Sequence, residues 1–136
     1  MPYTLREHTA DIAVEAPGES IDDIFAAVAN GLAAAMCEDV PAEGERFRLT
    51  VTAESAEALL FDYLDELIYQ RDVRNVLPVD NDATVTETTD GWTVDARARG
   101  VPLSAVTARE VKAVTYSEME LRETPTGWYA YVVFDV

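Results

Sequence analysis

An α+β domain, with a mostly antiparallel or mixed β-sheet and two helices packed on it, is the fold class the sequence predicts. Three observations carry the prediction. Two segments repeat apolar residues at the helical period, and each follows a serine, Ser20 or Ser55. The other regular segments alternate apolar with polar residues, and they outnumber the helical ones by about three to one. Turn signals punctuate them at Pro17-Gly18, Asp90-Gly91 and Pro125-Thr126-Gly127.

In chain order, Tyr3 to Glu7 and Asp11 to Glu15 read as short strands around a polar His8-Thr9-Ala10 bend. Ser20 then caps a helix with Asp22 and Asp23 in its first turn, where the helix dipole favours anions. Ile21, Ile24, Phe25, Val28, Leu32 and Met36 form its apolar stripe, and it should end near Cys37. Phe47, Leu49 and Val51 alternate with Arg48, Thr50 and Thr52 as a half-buried strand. Ser55 caps a second helix to about Tyr69, with Leu59, Leu60, Tyr63, Leu64, Leu67 and Ile68 towards the core and Asp62, Asp65 and Glu66 on another face. Asn75 to Val79, Ala83 to Thr88 and Trp92 to Ala98 read as further strands. Glu110 to Arg122 and Gly127 to Val136 read as a closing hairpin.

The 136 residues suit one domain spanning 1–136, with no linker or internal repeat to divide it. No segment approaches the ~18 to 20 uninterrupted apolar residues of a membrane helix. The opening MPYTLREHTADIAVEA lacks the zones of a signal peptide, so a cytoplasmic protein is expected. The single Cys37 has no internal disulfide partner and ends an apolar stripe, which suits packing.

The chain holds 26 Asp plus Glu against 10 Lys plus Arg, a formal charge of −16, and Lys112 is its sole lysine. At 49% hydrophobic it is not the low-hydrophobicity polymer expected of disorder. The balance reads as a folded domain adapted to high salt, where screening lets a compact state tolerate its self-repulsion. The balance argues against a direct grip on nucleic acid backbone, since that needs clustered Lys and Arg.

The most informative stretch is the last. Tyr129, Tyr131, Val132, Val133 and Phe134 run apolar into Asp135 and Val136. Chain ends usually fray; one this hydrophobic predicts a docked strand that holds the Asp135 side chain close to the terminal carboxylate. Two anions so close call for a cation, either a bound metal or a basic side chain.

HTADIAVEA near the start, ESIDDIFAAVANGLAAAM, ALLFDYLDELIY, EVKAVTYSEMEL and the closing VVFDV together resemble the archease family, in order and over nearly the full length. The resemblance implies an accessory protein for RNA ligation rather than an enzyme. It would act on an RtcB-type ligase, which joins a 2′,3′-cyclic phosphate or 3′-phosphate end to a 5′-hydroxyl during tRNA splicing. It would promote the ligase's guanylylation and multiple turnover and relax its nucleotide preference. The family's metal positions fall on Asp11, on Asp135 and on Val136 through its main-chain oxygens. Such hard oxygen donors suit Ca²⁺ or Mg²⁺, with Mn²⁺ possible, better than Zn²⁺. Lys112 matches the family's lysine, in reach of a phosphate or an acidic partner residue. Asp62 matches an acidic position of the second helix, a candidate partner contact. The implied partner is the ligase, with tRNA met only through it and no membrane. Many members carry a histidine ahead of the lysine strand and another after its VTY; here the first is absent and Ser117 holds the second place.

Plainer readings stand beside these. Asp11 also suits a turn, accepting backbone hydrogen bonds. Asp135 also suits pairing with Lys112 across adjacent strands. His8 suits a structural hydrogen bond, and Asp62, Asp65 and Glu66 a solvated helix face. Two other functions remain open at this point: a general acidic chaperone or binding module, and a metal-dependent hydrolase acting alone.

Overall fold

Alternating apolar residues at the two ends of the chain meet in one sheet. In the computed structural model, which describes residues 3–8 and 11–136 and leaves the side chains of residues 6–8 undescribed, β1 (Thr4–His8) and β2 (Asp11–Gly18) pair antiparallel. The expected bend between them includes Thr9 and Ala10, which lie outside the described residues. Ser20 caps α1 (Ile21–Met36) by accepting from the Asp23 N–H at 3.2 Å. β3 (Glu45–Ala53) follows, and Ser55 caps α2 (Ala56–Arg74) in the same way through the Ala58 N–H at 3.1 Å. β4 (Val76–Thr88) and β5 (Gly91–Pro102) form a hairpin, a single tight turn covers Leu103–Ala105, and β6 (Ala113–Thr124) and β7 (Gly127–Asp135) close the chain.

The expected class holds, with the strands divided between two antiparallel sheets of order β1-β2-β7-β6 and β3-β5-β4. The helices bridge them. α1 packs on β2 and β4, and α2 on β3 and β6, so Val14, Phe134, Leu49 and Val94 share one core with both apolar stripes. Phe25 of α1 and Tyr63 of α2, both fully buried, stack at 5.8 Å between ring centroids. The Phe25 side chain contributes about 1.5–3 kcal/mol by leaving water. Gly31 lets α1 approach β2 closely, because a Cβ there would lie 2.5 Å from Cγ1 of Val14. Gly127 opens β7 at φ +150, where a Cβ would meet the Gly18 carbonyl oxygen at 2.1 Å.

Several boundaries differ from the sequence reading: β2 runs on through Pro17 to Gly18 and β5 to Pro102, and others shift as well. α2 runs five residues beyond Tyr69, because Glu66, Gln70 and Arg74 form an i, i+4 ladder with two contacts of 2.6 Å and Asn75 ends it in the left-handed region at φ 55. The two strands expected around residue 80 are one. Asp80 at φ 49 marks a bulge, and there the Asn81 N–H and side-chain amide both donate to Oδ1 of Asn30 on α1, at 2.9 and 3.0 Å. Asp22 of α1 accepts from the Val85 N–H at 2.7 Å, which satisfies a donor on the edge of that sheet. β6 begins at Ala113 rather than Glu110, since the preceding backbone is already committed: the Arg109 N–H donates to the Met36 carbonyl at 2.7 Å and the Val111 carbonyl accepts from Arg71 at 2.7 Å. The second hairpin turn is Thr89-Asp90, with Gly91 the first residue of β5.

Candidate functional site

Strand alternation decides which way the terminal carboxylates face. Ile12, Val14 and Ala16 of β2 and Ala130, Val132 and Phe134 of β7 are buried, and all but Ile12 belong to the helix-side core. The residues between them, including Asp11 and Asp135, therefore take the other face. Asp11 and Asp135 stand directly opposite each other in the β2–β7 register, which extends to His8 on one side and Ala113 on the other. Asp11 is half-buried, and Asp135 and Val136 are exposed.

Like charges directly opposite on one face repel, with Cβ atoms about 4.5–5.5 Å apart. Two carboxylates at that spacing, with a main-chain oxygen of Val136 next in the chain, form a hard-oxygen donor set of the kind Ca²⁺ and Mg²⁺ take. Among the described residues no group of three or more His, Cys, Asp or Glu side chains gathers in one place, so a cation here would rely on main-chain oxygen and water besides the two aspartates. The side chain of His8 lies outside the described residues.

Lys112 meets this end of the sheet differently from the strand alternation expected of it. It lies one residue before β6, exposed, and its backbone N–H donates to the Asp135 carbonyl at 2.8 Å. Ala113 is the residue opposite Asp135, and none of the ion pairs between described residues joins Lys112 to Asp135. The alternative of a Lys112–Asp135 bridge is thus absent from the structure.

The residue before Lys112 is held by Arg71, which the sequence reading passed over. Arg71 is 8% exposed, and its guanidinium reaches the Val111 carbonyl at 2.7 Å, Sδ of Met36 at 3.4 Å and Asp72 at 3.0 Å. The ends of α1 and α2 and the strand-entry segment are thereby tied together. A cavity of about 770 Å³ opens beside this junction, lined by Leu5, Ile12, Met36, Cys37, Val106 and Arg109 among others. Cys37 is half-buried there, as its packing role implied, and its Sγ donates to the Asp39 carbonyl at 3.3 Å.

Further along the face shared by Asp11 and Asp135, the Tyr129 hydroxyl donates to Oε2 of Glu15 at 2.9 Å, and Arg122 lies 4.7 Å over the Tyr129 ring. Burial, and then the bond to Glu15, push the Tyr129 hydroxyl up to about 12. The folded state therefore favours the protonated phenol more than the unfolded chain does. Its stabilisation is complete below about pH 10 and is lost as pH rises towards 12. Tyr129→Phe should accordingly flatten the fall in unfolding free energy between those pH values, as followed by urea titrations at stepped pH; an unchanged slope would show that Tyr129 titrates as it does when unfolded.

Asp62 does not join the aspartate pair. It is exposed on α2, where with Glu57 it faces Tyr116, and burial and then these two carboxylates raise the Tyr116 hydroxyl above the ordinary tyrosine range.

Comparison with known proteins places the chain in a family. The archease protein family model matches residues 3–136. Protein archease of Thermococcus kodakarensis is 35% identical over 135 residues, spanning 96% of this chain and 95% of its own. That of Methanosarcina mazei is 34% identical over 139 residues, spanning 98% and 95%. The solution structure of Methanobacterium thermoautotrophicum protein 1598 matches with a TM-score of 0.84 at 28% identity over 99% of both chains. The crystal structure of an archease, possible chaperone, from Thermotoga maritima matches with a TM-score of 0.67 at 22% identity over 96% of this chain and 94% of that one, a likeness of fold alone. Among the described residues no helix is long and apolar enough to cross a membrane.

Proposed function

The chain belongs to the archease family, and on that premise we propose that it is an accessory protein that activates an RtcB-type tRNA-splicing RNA ligase in the cytoplasm, promoting the ligase's guanylylation and multiple turnover and relaxing its nucleotide specificity. The observation that carries this reading is the facing pair Asp11 and Asp135, with the Lys112 N–H on the Asp135 carbonyl. A divalent ion, Ca²⁺ or Mg²⁺ and in some conditions Mn²⁺, would be held by Asp11, Asp135 and a main-chain oxygen of Val136 with water. When bound, the ion supplies positive charge that neutralises phosphate oxygens.

The chain's own residues do the rest. The paired β2 and β7 present the two carboxylates at the end of the sheet, so that the protein would carry a cation on a surface that otherwise repels a nucleotide. Lys112, an exposed cation on a backbone anchored at both Val111 and Lys112, is placed to meet a phosphate or an acidic partner residue. Asp62 contacts the ligase, and tRNA is reached only through it. The excess of carboxylates is an adaptation to high salt.

The test is the number of ligations per ligase molecule on a broken tRNA, with GTP and Mg²⁺ or Mn²⁺, with and without this protein. The reading expects the ligase to pass from about one turnover to many, and the purified protein alone to show no hydrolase or ligase activity. No change in turnover would overturn it, and suppression of client aggregation without any effect on the ligase would support a general chaperone instead.

A further inference from the structure

α2 turns Leu59, Leu60, Tyr63, Leu64, Leu67 and Ile68 inward, so its remaining surface should be polar. It is not. Tyr69 is 57% exposed and Val73, one turn later, 53%. Phe61, two turns before Tyr69, carries the ring of Tyr116, itself 58% exposed, stacked face to face at 3.9 Å and 3°. At about 100° per residue, Phe61, Tyr69 and Val73 fall within roughly 120° of the helix circumference. Asp62, Asp65 and Asp72 interleave with them. Asp72 is paired with Arg71, whereas Asp62 and Asp65 take no cation among the described residues.

Tyr116 follows Val114 on the helix-side face of β6, where the strand becomes irregular. Thr115 is opposite Val133 and Glu120 opposite Tyr131, so the residues from Tyr116 to Met119 stand against Val132 alone, with Glu118 at φ 57. The bulge interrupts the ladder with β7 beside this ring.

We propose that this face of α2, from Tyr116 to Val73, is a docking surface for a cationic, apolar segment of the partner ligase, one that sets Lys or Arg side chains around a large apolar residue. The proposal rests on the ligase reading for the partner's identity. Charge decides the kind of partner: nucleic acid would bring phosphates against Asp62 and Asp65, and a second copy of this chain would bring another −16. Position agrees with the site. Tyr116 lies four residues after Lys112 on the strand that packs along α2, and the Val73 end adjoins Arg71, which holds Val111. A segment on this face therefore ends near the backbone that carries Lys112, while the Asp135 side chain stands on the other face of the sheet.

The experiment titrates the ligase with wild type, Tyr69→Ser/Val73→Ser, Asp65→Lys and Asp135→Ala, reading the half-maximal concentration and the plateau of stimulation, with binding measured by calorimetry. The two face variants should keep the wild-type unfolding midpoint and raise the half-maximal concentration at least tenfold while reaching the same plateau; Asp135→Ala should lower the plateau. Half-maximal concentrations equal to wild type in both face variants would overturn the docking surface and leave the ligase reading intact. Wild type that binds without stimulating, with binding lost in the face variants, would uphold the surface and remove the activator reading. Wild type that neither binds nor stimulates would overturn both.

Discussion

Asp135→Ala is expected to lower the plateau of ligase stimulation while leaving the metal-free protein at least as stable as wild type. The two halves of this result come from the same geometry. Without a cation, Asp11 and Asp135 face each other as like charges, a destabilising pair, so removing one costs nothing and relieves up to a few tenths of a kcal/mol. With a cation, the same carboxylate is a donor worth about 1.5–3 kcal/mol, so its loss lowers divalent affinity roughly 10- to 100-fold. At a divalent concentration of about 100 Kd the wild type should gain about 2.7 kcal/mol, a rise of roughly 10 °C in the unfolding midpoint, and the variant far less. Asp11→Ala should behave alike, and the double variant should be little worse than either single one, since each removes half of one site. Thermal scans in chelator and in Ca²⁺, Mg²⁺ or Mn²⁺ decide the matter. A variant less stable than wild type in chelator, with no divalent effect on wild type, would make Asp135 a structural residue and remove the metal from the proposal.

An apolar run into Asp135 let sequence reasoning expect a docked strand there, but Asp11 came only with the family resemblance, because its opposition to Asp135 is a pairing between strands at the two ends of the chain. Most of what escaped depends on contacts that no local pattern records. α2 continues past its apolar stripe because a polar ladder and a left-handed Asn75 sustain it, and periodicity of hydrophobic residues is blind to both. The division into two sheets is a matter of long-range pairing between segments that look alike in isolation. Lys112 read as a strand residue because Glu110 to Arg122 alternates, yet the backbone before Ala113 is taken up by Arg71 and Met36, residues 35 or more positions away. The bulge beside Tyr116 did leave a local trace that the reading passed over: Ser117 and Glu118 are consecutive polar residues that shift the alternation from Val114 and Tyr116 to Met119 and Leu121.

Arg71 is where these long-range contacts converge, and its substitution tests whether they matter to the site. A guanidinium with a side chain 10% exposed is retained only if its donors are used, and here they serve Val111, Met36 and Asp72. Arg71→Met preserves much of the volume and removes the buried charge, which offsets part of the loss, but it leaves the Val111 carbonyl without its donor, a cost of about 1–3 kcal/mol. A net destabilisation of about 2 kcal/mol follows, lowering the unfolding midpoint by roughly 8 °C. Arg71→Lys should fall between, because an ammonium cannot span partners that the planar fork reaches together. The damage should also be local. With Val111 released, the next residue loses the support that keeps its N–H on the Asp135 carbonyl, so the Lys112 amide should exchange its hydrogen faster than the core amides of Val132 and Phe134, and ligase stimulation should fall with it. Equal loss of protection at all three amides would mean that Arg71 stabilises the fold as a whole; selective loss at Lys112 would mean that a buried arginine on the second helix holds the basic residue at the edge of the aspartate pair.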